Sequence, residues 1–62
     1  MIKPTIEETK IVIKDLLSLM RIEELAVAVG RSNATIAKWK YGKSVPSKGD
    51  YDLLLRLNAK IV

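Results

Sequence analysis

The chain of 62 residues is 48% hydrophobic and 29% charged, carries a net charge of +4, and contains neither cysteine nor histidine. A chain of this length makes one small domain around one modest core, which leaves no room for a second domain or a deep substrate cavity. The missing residue types exclude disulfides, thiolate or imidazole metal centres and histidine-based proton transfer.

The opening Met1-Ile2-Lys3-Pro4 is followed by no long apolar stretch, and the longest apolar runs are Ile11-Val12-Ile13, Leu25 to Val29 and Leu53-Leu54-Leu55. These runs are too short for a signal-peptide core or a membrane span, so a cytoplasmic protein is expected. Thr5 followed three residues later by Glu8 has the spacing of a capping box. The apolar period then predicts helix 1 from about Thr5 to Met20, with Ile6, Ile13, Leu16, Leu17 and Met20 on the inner face. A short second helix over Ile22 to Val29 presents Leu25, Ala26 and Val29 together, and Gly30 ends it because glycine tolerates a left-handed C-terminal conformation.

Ser32 is an N-cap for helix 3, Asn33 to about Tyr41, with Ile36 and Trp39 inward. Gly42 stops that helix, and Lys43-Ser44-Val45-Pro46 reads as a loop. Ser47 with Asp50 then predicts another capped start, for helix 4 from about Lys48 to Asn58. Residues 59–62 read as a short tail, either a strand or frayed. All of this describes an all-α bundle in a single domain over residues 1–62.

Charge is unevenly distributed. Residues 1–30 sum to −1, residues 31–48 carry Arg31, Lys38, Lys40, Lys43 and Lys48 without one acid, and the remainder is neutral. A basic stretch on one element is the footprint of a polyanion-binding surface, although a merely solvated cationic face has the same composition. Two short helices joined by a tight glycine turn, the second of them basic, amount to a helix-turn-helix. Small Ala26 lets the helices cross closely, and Leu25, Val29, Ile36 and Trp39 lock the crossing. Asn33, Ala34 and Lys38 are left on the outward side of helix 3, where short polar side chains can reach base edges in the major groove.

The run IEELAVAVGRSNATIAKWKYGKSVPS, with its flanks over residues 21–57, resembles the helix-turn-helix of phage repressors, Cro proteins and the related xenobiotic-response-element class of regulators. Glu24-Leu25-Ala26, Gly30, Ser32, Thr35-Ile36, Trp39, Gly42-Lys43 and Pro46-Ser47 fall in one ungapped register. The resemblance implies a compact four- to five-helix bundle of the lambda-repressor/Cro type, with helix-turn-helix over about residues 22–41. It implies sequence-specific binding of double-stranded operator DNA as a dimer, in a bacterial cytoplasm or nucleoid. Asn33, Ala34 and Lys38 take its base-reading positions, while Thr35, Lys40, Lys43 and Ser44 take or flank its phosphate positions. Arg31, Ser32 and Tyr41 extend the expected phosphate set. The chain departs from the family at Arg21, where Thr or Ser is common, at Ile22, where Gln is common, and at Arg31, where a small apolar residue usually packs.

Competing readings of single features are plainer. Trp39 shares a face with Ile36 and is expected in the core. Glu7-Glu8 and Glu23-Glu24 stand at helix starts, where acids cap and meet the macrodipole, so they do not form a catalytic pair. Ser44 and Lys48 lack the framework of a nucleophilic dyad, and no enzyme, metal, cofactor or small-molecule ligand is expected. A single recognition helix reads few base pairs, which calls for two half-sites and a weak or DNA-assisted homodimer. Leu53, Leu57, Ile61 and Val62 are its expected interface, with Ile11 and Leu19 as further surplus apolar residues. The alternative function is a protein-interaction module, anti-repressor or antitoxin-like, that keeps the helices without binding DNA.

Overall fold

Thr5 opens the first helix as its spacing from Glu8 requires. Its Oγ1 accepts from the Glu8 amide at 3.1 Å, while the Thr5 amide donates to Glu8 Oε1 at 2.9 Å, so two helix-start amides are satisfied reciprocally. The computed structural model describes residues 3–61, and the helix that follows is α1 (Ile6–Leu17). Three more come after it: α2 (Ile22–Val29), α3 (Asn33–Lys40) and α4 (Lys48–Ile61). The architecture is all-α, and no strand occurs among the described residues.

Helix α1 stops three residues before the expected Met20. The Ser18 hydroxyl donates to the Asp15 carbonyl at 2.6 Å, and the amides of Leu19 and Met20 both donate to the Leu16 carbonyl at 3.0 Å. Side-chain bonding to the backbone and a shared carbonyl tighten the last turn and close the helix there. The Arg21 amide then donates to Glu24 Oε1 at 3.0 Å, which starts α2 after a four-residue connection, residues 18–21. Helix α4 errs in the opposite direction, running on through Ile61 where a tail from residue 59 was expected. No glycine or proline follows Gly49, and Ala59 and Lys60 are good helix formers, so nothing local ends it at Asn58.

Helix α1 is the centre of the bundle. It packs on both α3 and α4, α2 packs on α3, and among the described residues α3 and α4 share no direct helix-to-helix packing. Val12, Ile13, Leu16, Leu25, Ala26, Val29, Ile36, Trp39 and Leu54 are buried together, with Leu17, Met20, Ile22, Tyr51 and Leu57 partly buried against them. The inner face of α1 is therefore Thr9, Val12, Ile13 and Leu16, at i, i+3, i+4 and i+7, and the expected Ile6 is 48% exposed. Thr9 escaped the apolar pattern because it is polar. It is buried without penalty since its hydroxyl donates to the Thr5 carbonyl at 2.9 Å. In α4 the single fully buried leucine is Leu54, between the half-exposed Leu53 and Leu55. Among the described residues no helix is long and apolar enough to cross a membrane.

Candidate nucleic-acid interface

Two glycines set the boundaries of α3. At Gly30 the backbone is left-handed (φ 69°, ψ 34°), and the Arg31 amide reaches back to the Ala26 carbonyl at 2.9 Å. At Gly42 φ is 73°, and the Lys43 amide reaches the Lys38 carbonyl at 2.9 Å. Each is a Schellman-type closure that only glycine enters without strain. Between them, Ser32 is extended (φ −82°, ψ 160°) and its side chain accepts from the Thr35 amide at 3.3 Å. The chain thus leaves α2, turns within three residues and begins α3 in a new direction.

Ile36 and Trp39 anchor α3, at 0% and 3% exposure. Asn33, Ala34 and Lys38 are all exposed; helical spacing puts Asn33 on the flank it shares with Ala37 and Lys40, and Ala34 and Lys38 on the side away from that anchor. The same side holds two residues not counted as reading positions in the sequence. Ala34, Ala37, Lys38 and Tyr41 run at i, i+3, i+4 and i+7, with Ala37 half-buried and Tyr41 65% exposed. This outer face is low in relief along its middle, where two alanines lie, and polar at its edges. No acid lies on α3.

The expected phosphate set divides. Lys40 and Lys43 are exposed, Thr35 and Ser44 half-buried, and Lys40 Nζ stands 5.3 Å over the Tyr41 ring centroid, close enough for a cation–π attraction. The Ser32 hydroxyl is occupied by its capping role and by a 3.1 Å contact with Thr35 Oγ1. Arg31 has a partner that its sequence neighbours did not suggest. Its Nε donates to Asp50 Oδ2 at 3.0 Å and its Nη2 lies 2.9 Å from the same oxygen. Arg31 therefore ties the turn to the first turn of α4. Lys48 is likewise paired within α4, with Asp52 at 3.3 Å. Among the described residues Lys38, Lys40 and Lys43 form no ion pair, so the uncompensated part of the basic stretch lies on α3 and the loop after it.

A second group of cations was missed. Lys10 and Lys14 on α1 line an open cleft together with Leu17, Ser18 and Lys40. Their i, i+4 spacing was legible, but the acids of residues 1–30 masked them in the charge count, and nothing local said that α1 would lie beside the end of α3. Of the expected dimer residues, Leu53 is 38% exposed and Leu57 packs partly against the core. Those at Ile61 and Val62 lie outside the residues whose side chains are described. Comparison with protein-family models, with curated proteins and with solved structures gives no match.

Proposed function

We propose that this protein is a sequence-specific DNA-binding transcriptional regulator, a repressor of the phage or bacterial Cro type, which lays α3 in the major groove of operator DNA. The single observation that carries this reading is the outer face of α3. Asn33, Ala34 and Lys38 are exposed on one side of a helix anchored from behind by Ile36 and Trp39, with no acid on the helix. An α-helix fits the major groove, the Asn33 carboxamide can pair with adenine's donor and acceptor, and Lys38 can donate to guanine. Ala34 offers a methyl contact to thymine. Lys40, Tyr41, Lys43 and Ser44 supply phosphate contacts.

The regulator acts as a weak or DNA-assisted homodimer, since one helix reads too little sequence alone. Leu53 is the best supported of its contact residues, because Leu57 already serves the core. The alternative of a protein-interaction module draws on Val27, which is 83% exposed on the acidic outer side of α2. The experiment that separates them is selection of bound duplexes from a random pool. A repressor returns a two-fold symmetric motif with two half-sites; a protein-interaction module returns no enriched sequence.

A further inference from the structure

We propose, resting on the DNA-binding reading above, that Lys10, Lys14 and Lys40 form a second anion cleft that grips the sugar-phosphate backbone along one wall of the groove occupied by α3. The three lysines, with Leu17 and Ser18, line one open cleft between α1 and the end of α3. Among the described residues none of the three forms an ion pair. No acid among the described residues lines the cleft, so an anion at its rim is attracted by all three lysines. Leu17 gives the lysine stems an apolar floor, so their charged ends are carried at the rim.

Position favours a nucleic-acid backbone over an acidic protein. Asn33, Ala37 and Lys40 follow one another at i, i+4 and i+7, so the cleft begins where the outer face of α3 ends. A helix about 10–12 Å across fills a groove roughly 12 Å wide, which brings each flank of the helix against a phosphate strand. Lys40, two residues past the base-reading Lys38, lies on the flank of α3 that meets one of these strands. Helix α1 is held beside the Lys40 flank by Gly42, where an added Cβ would lie 3.0 Å from Ile6 Cγ2 and 3.4 Å from Lys10 Cδ. That close approach puts Lys10 and Lys14 next in line along the same strand.

The test uses the full chain and the duplex enriched by selection, titrated over a range of salt. Lys10→Gln and Lys14→Gln should each lower the slope of log affinity against log salt by about one unit, and the double variant by about two. Both should weaken selected and scrambled duplexes alike and leave the ranking of bases unchanged. Lys10→Arg with Lys14→Arg should restore the parent slope, which separates charge from folding, and Arg56→Gln on exposed α4 serves as the equal-charge control. A double variant with the parent slope, or one no different per charge from Arg56→Gln, overturns the cleft while leaving the reading helix intact. So does a double variant that keeps its slope but loses an acidic protein partner. A parent that binds no duplex at any salt overturns both readings together.

Discussion

The segment from Arg21 to Lys43 and the two longer helices around it obey different rules. In the segment, each boundary is written by one residue whose chemistry acts locally: Glu24 accepting from the Arg21 amide, Gly30 left-handed, Ser32 capping, Gly42 left-handed. In α1 and α4 the inner faces depend on what packs where, and both helices differ in length from the sequence pattern. Local chemistry fixes the turn and the direction of α3; tertiary packing decides which of several apolar residues face inward. The candidate reading surface lies on the locally determined half, while the lysine cleft exists only because the packed half brings α1 alongside.

The largest effect that sharpens this contrast is loss of the core anchors. Trp39→Ala should cost about 3–5 kcal/mol and Leu54→Ala about 2–5 kcal/mol, enough for either to unfold a domain this small. Leu53→Ala and Leu55→Ala, on the exposed flanks of the same helix, should cost distinctly less. Thermal melts of the four variants check the order, and equal losses at Leu53 and Leu54 would mean that the inner face of α4 is misassigned.

Next come the two glycines. Valine at either position meets the strain of a left-handed backbone, about 1–2 kcal/mol. At Gly30 nothing lies within 4 Å of an added Cβ, whereas at Gly42 the Ile6 side chain stands at 3.0 Å. Gly42→Val should therefore destabilise more than Gly30→Val, and the excess should shrink when Ile6 is also replaced by alanine. Denaturant midpoints measured as a double-mutant cycle decide this; additive effects would break the link between the α3 closure and α1.

A smaller effect is expected at the Arg31–Asp50 pair, which joins the two halves. The Arg31 side chain is 49% exposed and that of Asp50 13%, so its loss should cost about 0.2–1 kcal/mol. Asp50→Asn should lower the melting temperature slightly at low salt, and the difference should fade at high salt as screening replaces the pair. A salt-independent loss would point to lost packing instead.

Most of the fold was legible, and the reasons lie in particular residues. Caps at Thr5 and Ser32 and stops at Gly30 and Gly42 act within a few residues of themselves, so α2 and α3 are found to within one residue. Ile6 and Thr9 show the limit: an exposed isoleucine and a buried threonine invert the apolar pattern, because the Thr5 carbonyl satisfies the threonine hydroxyl. The Ser18 hydroxyl ends α1 early for a similarly local reason, which apolar periodicity does not register. The outer face of α3 followed from Ile36 and Trp39 being inward. Arg31–Asp50 and the lysine cleft did not follow, since each joins residues far apart in the chain.

The most direct test of α3 as the reading element compares reading with holding. Asn33→Ala, Lys38→Ala and Lys43→Ala are titrated against the selected duplex and a scrambled one at several salt concentrations. Asn33→Ala and Lys38→Ala should lose about 1–3 kcal/mol on the selected duplex, with altered base preference and little change on the scrambled one. Lys43→Ala should weaken both duplexes alike and lower the salt slope by about one unit. Equal losses on both duplexes for Asn33→Ala and Lys38→Ala, with base preference unchanged, would contradict the assignment of α3 as the element that reads DNA.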